Sequence, residues 1–411
     1  MIGILILGLV LGTARVPSAV SAETWVGTWA ASPQLMAEAD LPPTPPGFAD
    51  TTIRQVVHVS IGGARLRVRF SNGSGTTDLA LLSVHVARSA GGSAIRPDTD
   101  RALTFGGRVS VTVPAGALIV SDAQAFDLSP LSDLAITIRV RGVPATVTGH
   151  PGSRATSFFA GGDEVMSAEL RSAVRVEHWY FLNGVDVAAD TATAAVAILG
   201  DSITDGRGST TNGNDRWPDV LARRLQARAG PPVAVLNYGL GGNRLLRDGL
   251  GPSALARFDR DILATAGVRW LVVLEGINDI GTRAAAIARH EPYATADDII
   301  LAYEQIIERA HARDVLVYGA TIMPFAGFTY GGYYSADAEA DRRRVNDWIR
   351  TSGRFDAVID FDAAMRDPAQ PSRLAPAVDG GDHLHPSAGG YRIMADAIDL
   401  RLFLRRAGSA K

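Results

Sequence analysis

Cysteine is absent from all 411 residues of the sequence. Its absence excludes disulfide bonds, thiolate metal sites and a cysteine nucleophile. It does not exclude secretion, because a secreted domain with a large hydrophobic core can be stable without disulfide bonds. At this length the chain has room for two or three domains, each with its own core.

An excess of charge of one sign is also absent. The chain has 40 Lys and Arg against 43 Asp and Glu, a formal net charge of −3, and the basic residues are spread along it. Proteins that bind nucleic acids or anionic membranes usually carry a basic patch. We therefore expect neither nucleic acid nor a membrane surface as a partner.

Long apolar runs are missing beyond the first 22 residues, since none approaches the roughly 18 apolar residues that suggest a transmembrane helix. Residues 2–11 are apolar, and Val20, Ser21 and Ala22 offer the small residues that a signal peptidase recognises. The sequence predicts a signal peptide over residues 1–22, a secreted or periplasmic protein, and no membrane association after cleavage. A membrane anchor is the alternative, for which the run is short.

Apolar and polar residues alternate before residue 190. The segments 65–70, 109–113 and 134–140 each place apolar side chains at every second position. This period is typical of half-buried antiparallel strands, and no long helical pattern occurs from residue 50 to 185. The pattern predicts an all-β sandwich or jelly-roll domain over residues 23–190.

The pattern changes to alternating strands and helices over residues 191–411. The predicted strands are 194–199, 233–236, 269–274, 315–320 and 357–359. The predicted helices are 218–229, 253–264, 295–313, 338–352 and 387–406, with Thr295 and Ser387 as N-caps. Five strands that alternate with helices predict a doubly wound parallel sheet, whose functional sites lie at the carboxyl ends of the strands.

Acyl transfer needs a nucleophile, a base and a group that orients the base. Ser202 follows the first predicted strand in a turn flanked by glycines, where its hydroxyl can project from the sheet. His385 is suited to act as the base. Asp382 lies three residues earlier, so its carboxylate can reach Nδ1 of the ring and leave Nε2 facing the serine.

Three groups can donate hydrogen bonds to the oxyanion of such a reaction. They are the backbone N–H groups of Ser202 and Gly242 and the side-chain amide of Asn278. A glycine at position 242 lets a substrate approach the backbone, because no Cβ blocks it. The neighbouring Gly241 is the alternative donor.

Four motifs in order resemble the signature blocks of the SGNH/GDSL hydrolases: GDSITDG (200–206), GLGGN (239–243), GINDIG (276–281) and DHLHP (382–386). The resemblance extends over residues 193–405. It implies the flavodoxin-like, five-stranded parallel sheet of the SGNH hydrolase fold.

The resemblance also implies a role for each matched residue. Ser202 corresponds to the nucleophile, His385 to the base and Asp382 to the third member of the triad. Gly242 and Asn278 correspond to the remaining donors of the oxyanion hole. No cofactor is implied.

Two alternatives concern the DHLHP motif. His383 could replace His385 as the base. Asp382, His383 and His385 could instead bind zinc, but no further cluster of ligands accompanies them, so we expect no metal.

The segment 25–33 (WVGTWAASP) is similar to the start of bacterial family members that carry a β-sandwich before the hydrolase domain. This likeness favours a serine ester hydrolase that removes short acyl groups, above all acetyl, from plant polysaccharide or oligosaccharide. A general short-chain carboxylesterase, arylesterase or lipase-like acylhydrolase is the alternative. The expected partner is a small-molecule or carbohydrate ester. A β domain that targets the enzyme to a polymer and an inactive carbohydrate-binding protein are further alternatives.

Several residues are candidates for substrate binding. Asn243 follows the second motif, where it could instead brace its loop. Aromatic residues occur among glycines in the loop 324–334, which we expect beside the strand ends, and they could line the pocket or pack on the core. The candidates in this loop are Phe325, Phe328, Tyr333 and Tyr334.

Overall fold

The structure, a computed structural model, describes residues 24–404. The predicted signal peptide, residues 1–22, lies outside the described residues. Within residues 24–404, no helix is both long and apolar enough to cross a membrane.

Residues 24–189, called here the β-rich part, contain strands β1 to β16. In chain order these strands are Thr24–Ala30, Gln34–Leu35, Asp50–His58, Gly63–Ser71, Leu79–Gly91, Ala94–Ile95, Arg101–Ala102, Val111–Val113, Leu118–Val120, Gln124–Leu128, Asp133–Arg141, Thr148–His150, Ser157–Gly161, Val174–Val176, Trp179–Tyr180 and Leu182–Ala189. Short 3-10 turns lie at Glu38–Asp40 and Pro97–Thr99.

The strands of the β-rich part pair in antiparallel sheets. One sheet has the order β1-β16-β4-β10, with β9 on β4, and a second has the order β14-β13-β3-β11-β5-β6, with β7 and β8 on β5. A small third sheet has the order β15-β12-β2. Val68 of the first sheet and Ile136 of the second lie in one buried apolar cluster, which confirms the predicted sandwich. Val109 is an exception to the predicted alternation, because its side chain is 62% exposed. It lies between the turn at Gly106 and Gly107 and the start of β8.

Residues 194–404, the α/β part, contain strands β17 to β21 and helices α1 to α9. The strands are Ala194–Gly200, Val233–Gly239, Val268–Leu274, Leu316–Ala320 and Ala357–Ile359. The helices are Ser202–Asp205, Trp217–Gln226, Ala254–Phe258, Ile277–Gly281, Arg283–Ala288, Ala296–His311, Ala336–Thr351, Phe361–Met365 and Ala388–Asp396. A π-helical turn, Asp259–Leu263, continues α3, and 3-10 turns lie at Tyr330–Gly332 and Leu400–Leu404.

The five strands of the α/β part form one parallel sheet in the order β18-β17-β19-β20-β21. This is the flavodoxin-like order, so the predicted fold class is confirmed. Strand β17, which lies between β18 and β19, is buried throughout. The strand order reverses beside β17, and such a switch point opens a crevice at the carboxyl ends of the strands. The chain that leaves β17 therefore enters the crevice.

The predicted helices are present, but several have different ends, and the first of them, predicted over 218–229, ends at Gln226. Thr295 and Ser387 cap α6 and α9 as predicted. The last predicted helix, 387–406, ends at Asp396 instead. The side chain of Asp399 accepts a hydrogen bond from the backbone N–H of Arg401 at 2.9 Å and so starts a separate turn. The predicted helix 253–264 changes from α to π geometry after Phe258.

Strand β1, which carries most of the segment 25–33, lies between the two parts of the chain. The backbone N–H of Gly27 donates to Ala266 O at 3.0 Å. A Cβ on Gly27 would lie 2.9 Å from the side chain of Leu236, so only glycine allows β1 to pack this closely on β18. One buried apolar cluster extends through both parts. The domain boundary at residues 190/191 stays a prediction.

Candidate active site

The chain from Gly200 to Ser202 forms a tight turn between β17 and α1. A Cβ on Gly200 would lie 2.1 Å from Oγ1 of Thr204, so glycine is needed where the helix folds back over the strand end. The side-chain carboxyl group of Asp201 caps α1 by accepting from the backbone N–H of Ile203 at 2.8 Å. Ser202 is the first residue of α1, and its side chain is half-buried at the crevice.

Three of the predicted side chains lie in a continuous chain of hydrogen bonds. Oγ of Ser202 lies 2.8 Å from Nε2 of His385, and Nδ1 of the same ring lies 2.7 Å from Oδ2 of Asp382. Because the carboxylate accepts from Nδ1–H, Nε2 is left to accept the proton of the serine hydroxyl. The ring is 6% exposed, which keeps this geometry away from bulk water.

Asp382 is fixed in its ionised form. Its partial burial opposes ionisation, but hydrogen bonds from the His385 ring and from the backbone N–H groups of His385 and Leu384 outweigh this effect. The pKa of Asp382 is therefore held well below its ordinary value. The same contacts fix the carboxylate against the ring.

The structure separates His385 from the alternative base, His383. Nδ1 of His383 lies 2.5 Å from the carboxylate of Asp379, and the His383 ring packs against Gly327. The imidazole that contacts Ser202 belongs to His385. Within the described ranges, no group of three or more His, Asp or Glu side chains could hold a metal ion.

The predicted oxyanion donors lie on the loops that follow β17, β18 and β19. Ser202 is the first residue of α1, so the helix does not use its backbone N–H. Gly242 adopts a φ of 66°, which glycine tolerates best, and a Cβ there would lie 3.0 Å from Leu250. Among residues 24–404, neither Gly242 nor Gly241 donates a backbone hydrogen bond within the loop. The choice between these two glycines stays a prediction.

The amide of Asn278 is held from both sides. Its Nδ2 donates to the backbone O of Asn243 at 2.8 Å, and its Oδ1 accepts from the hydroxyl of Tyr333 at 2.5 Å. These two contacts fix the orientation of the amide. The second N–H of Nδ2 remains available for another acceptor in the crevice.

The aromatic loop supports Asn278 through Tyr333. The Tyr333 ring lies over α4, where a Cβ on Gly281 would come within 2.0 Å of it. Phe325 is fully buried and packs edge-on against Tyr333 and Tyr334. Phe325 and Tyr333 thus have the contacts of core packing, the alternative reading of the loop, and their role in substrate binding stays a prediction. Phe328 and Tyr334 are half-buried, and a substrate-binding role for them stays a prediction.

Asn243 is placed to brace its loop. Its Oδ1 accepts from Nε and Nη2 of Arg257 at 3.0 and 2.6 Å, and its Nδ2 donates to Pro252 O at 2.8 Å. The side chain is buried, and both polar atoms of the amide are engaged. These contacts support the bracing alternative, and contact of Asn243 with substrate stays a prediction.

Arg257 is a central residue that the sequence patterns did not single out. Its buried guanidinium donates to the backbone O of Gly200 at 3.2 Å and of Tyr238 at 2.8 Å, at the ends of β17 and β18. It also contacts the carboxylate of Glu275, which follows β19, at 3.4 Å. A sequence signal was present, because Arg257 and Asp261 form an i, i+4 charge pair on the apolar side of a predicted helix.

His150 joins the β-rich part to the helix that begins with Ser202. Its Nε2 lies 2.8 Å from Oδ1 of Asp205, the last residue of α1, and its Nδ1 donates to the backbone O of Ser32 at 2.9 Å. Both side chains are buried. No local pattern could reveal a contact between residues 55 positions apart.

Buried carboxyl groups surround this framework. Burial, and then the charges of Asp279 and Asp205, raise the pKa of Asp201 to about 7. Burial raises the pKa of Asp279 to about 6, although the backbone N–H groups of Leu245 and Leu246 oppose the shift. Burial and the Asp201 charge raise the pKa of Glu275 well above its ordinary value. These buried carboxyl groups therefore stay protonated at pH values at which exposed carboxyl groups are ionised.

Residues 198–393 match the family model described as the GDSL-like Lipase/Acylhydrolase family. Among solved structures, the chain is similar to an acetyl xylan esterase from Geobacillus stearothermophilus at 22% identity, with 52% of this chain and 94% of that chain covered and a TM-score of 0.38. It is similar to a GDSL-like lipase from Bacteroides thetaiotaomicron at 18% identity, with 49% and 84% covered and a TM-score of 0.37. It is also similar to a lipase/acylhydrolase from Enterococcus faecalis at 18% identity, with 50% and 92% covered and a TM-score of 0.38. No curated protein matches the chain.

The buried Asp201 predicts a specific dependence of stability on pH. Because folding raises its pKa from an ordinary 3.8 to about 7, its protonated form stabilises the fold below pH 4, and this contribution is lost as the pH rises through 7. Asp201→Asn keeps an oxygen for the Ile203 N–H and cannot ionise. We expect the unfolding free energy of the wild type to fall relative to that of Asp201→Asn between about pH 4 and 7. The expected slope is roughly 1.4 kcal/mol per pH unit.

Urea denaturation at several pH values measures the difference. The same substitution at the exposed Asp98 controls for the loss of one surface charge. Parallel stability curves for the wild type and Asp201→Asn would contradict a protonated Asp201 in the folded state.

Proposed function

We propose that the protein hydrolyses esters of short acyl groups with Ser202 as nucleophile. The match of residues 198–393 to the model of the GDSL-like lipase/acylhydrolase family supports this proposal. The observation that carries the proposal is the contact of Oγ of Ser202 with Nε2 of His385 at 2.8 Å. On the other side of the ring, Nδ1 of His385 lies 2.7 Å from Oδ2 of Asp382. A serine hydroxyl is a weak nucleophile until a base accepts its proton.

The first half of the reaction forms an acyl-enzyme. Nε2 of His385 takes the proton of Ser202 as Oγ attacks the ester carbonyl carbon. The carboxylate of Asp382 stabilises the imidazolium that results. The tetrahedral intermediate then collapses, the bond to the alcohol oxygen breaks, and His385 gives its proton to the leaving alcohol.

The oxyanion of the intermediate is held by three donors: the backbone N–H groups of Ser202 and Gly242 and Nδ2 of Asn278. One such donor typically contributes about 10²–10³ in kcat. Support comes from the fixed orientation of the Asn278 amide, because a donor that is already positioned loses little free energy to reorganisation when charge develops.

The second half returns the enzyme to its starting state. Water attacks the acyl carbon, and His385 removes one of its protons. Oγ of Ser202 leaves and recovers that proton from the ring, and the carboxylic acid is released. Every proton moves through His385, so the cycle requires no cofactor.

The substrate proposal rests on a cavity of about 460 Å³ between the two parts of the chain. We call it the junction groove, and among the residues that line it are Asp40, Arg154 and His178 on one side and Asp205, Gly241 and Leu250 on the other. Asp205 ends the helix that Ser202 begins, and Gly241 precedes Gly242, so the groove adjoins the reacting groups.

The lining of the junction groove combines polar side chains with apolar surface. A sugar ring presents hydroxyls and an apolar face, and it fits such a surface. We therefore propose an acetylated plant polysaccharide or oligosaccharide as the substrate. Such polymers lie outside cells, where the predicted signal peptide would send the protein. Leu250, which is 74% exposed beside Gly242, favours the second candidate, a general short-chain carboxylesterase or arylesterase.

Hydrolysis by the wild type and by Ser202→Ala tests the proposal. The wild type should hydrolyse acetylated xylo-oligosaccharide and p-nitrophenyl acetate, with activity that falls as the acyl group lengthens. Ser202→Ala should lose roughly 10⁴-fold or more in kcat, because no nucleophile remains. Ser209→Ala, at a serine in the loop that follows α1, is the control. Retained turnover by Ser202→Ala would refute the nucleophile, and a preference for nitrophenyl over sugar esters would favour the second candidate.

Tyr333→Phe tests how the Asn278 amide is positioned. Without the hydroxyl the Asn278 Oδ1 loses its donor, so the amide can rotate away from the oxyanion. We expect kcat to fall roughly tenfold with little change in KM, because the loss of one hydrogen bond costs about 1.4 kcal/mol. Tyr330→Phe, in the same loop but exposed, is the matched control. An unchanged kcat in folded Tyr333→Phe would show that the hydroxyl does not position the amide.

A further inference from the structure

The loop between β12 and β13 carries Arg154 into the junction groove on a rigid backbone. The hydroxyl of Ser153 donates to Ala155 O at 2.8 Å and accepts from Ala155 N–H at 3.2 Å. The backbone O of Arg154 accepts from the N–H of Asn212 at 2.8 Å, and the Asn212 amide makes two further hydrogen bonds to Thr156. These contacts tie the loop to the segment that follows α1.

The backbone of Arg154 is held in an unfavourable conformation. Its φ is 51°, in the left-handed region that residues with a Cβ seldom adopt. Such strain persists only where surrounding contacts enforce it, and it is concentrated at functional positions. The contacts of Ser153 and Asn212 supply that enforcement here.

The guanidinium of Arg154 differs from the carboxyl groups of the junction groove, each of which faces a histidine side chain. Asp205 is paired with His150 at 2.8 Å, and Asp40 faces Nε2 of His178 at 3.8 Å. Within residues 24–404, Arg154 forms no ion pair and no side-chain hydrogen bond, and its Nε is buried without an acceptor. A buried N–H donor without an acceptor costs free energy, which a ligand bound beside the Nε of Arg154 would recover.

Arg154 lies close to the nucleophile helix. Its positive charge acts on the buried Tyr391, where it opposes the rise in pKa that burial causes. The hydroxyl of Tyr391 donates to the backbone O of Arg207 at 2.6 Å, and the N–H of Arg207 donates to the backbone O of Ser202 at 2.9 Å. Arg154 lines the junction groove together with Asp205, the last residue of α1, so Arg154 and the nucleophile helix border the same groove.

The chemistry of arginine limits the kind of ligand. A guanidinium presents a planar fork of N–H donors and no acceptor, and it matches the paired oxygens of a carboxylate or phosphate. We infer that the junction groove binds an ester whose alcohol part carries an anionic group, a carboxylate or a phosphate, and that Arg154 contacts that group. This inference rests on the proposed ester hydrolysis and narrows its substrate class.

Two pairs of acetyl esters that differ in one charge test the inference. The first pair is an acetylated methyl galacturonoside and its carboxyl methyl ester, and the second is acetylglycerol phosphate and glyceryl monoacetate. For the pair whose anion fits the groove, the wild type should show a kcat/KM for the charged ester roughly ten- to a hundredfold above that for the neutral ester. The pair that shows this ratio identifies an acidic sugar or a phosphorylated glycerol as the source of the anion.

Substitutions assign the preference to Arg154. Arg154→Met should bring the ratio of the two kcat/KM values close to one, mainly through the KM of the charged ester, and Arg154→Lys should keep part of it. Arg171→Gln, an exposed arginine in the β-rich part, is the control that should keep the wild-type ratio. Inhibition of the wild type needs no variant: galacturonate or glycerol phosphate should compete with p-nitrophenyl acetate, and galactose or glycerol should not.

The outcomes separate this inference from the function on which it rests. Equal kcat/KM values within both pairs, with p-nitrophenyl acetate still hydrolysed, would overturn the anionic subsite and leave ester hydrolysis intact. A ratio in Arg154→Met equal to that of the wild type would also overturn it. Failure of the wild type to hydrolyse any ester would refute the proposed function itself.

Discussion

A single buried guanidinium, that of Arg257, holds together the strand ends on which the candidate site is built. It contacts the chain at the ends of β17, β18 and β19 and, through the hydroxyl of Ser32 at 2.7 Å, the β-rich part as well. A fully buried charge costs several kcal/mol unless partners compensate it, and removal of one partner typically costs about 3–5 kcal/mol. The strand ends that lead into the loops of Ser202, Gly242 and Asn278 are thus joined by one buried cation.

Both parts of the chain contribute residues to the candidate site. The α/β part supplies the side chains that would perform chemistry, and the β-rich part braces them. His150 contacts the end of α1, β1 packs on β18, and Arg154 enters the groove from the β side. Strand β1, which carries most of segment 25–33, thus forms part of the junction between the two parts.

Local patterns in the sequence predicted much of this structure. The alternation in β4 and β11 and the apolar run of β17 follow from burial, which acts on consecutive residues. Ser202, His385 and Asp382 could be singled out because each follows a strand end or lies in a short motif. The structure brings their side chains into contact, and their catalytic roles stay a proposal. The contacts of Arg257, His150 and Tyr333 could not be predicted, since each joins residues far apart in the chain. The separate turn after α9 begins at a side-chain contact of Asp399, which propensity does not reveal.

The proposed chemistry requires that His385 activates Ser202 as a nucleophile. Reaction with a p-nitrophenyl alkylphosphonate, an ester analogue that modifies activated serines, tests this activation, and mass spectrometry identifies the modified peptide. We expect a single phosphonyl group on the peptide that contains Ser202, and almost none when His385 is replaced by alanine. Modification of a different serine, or equal labelling of Ser202 without His385, would show that His385 does not activate Ser202.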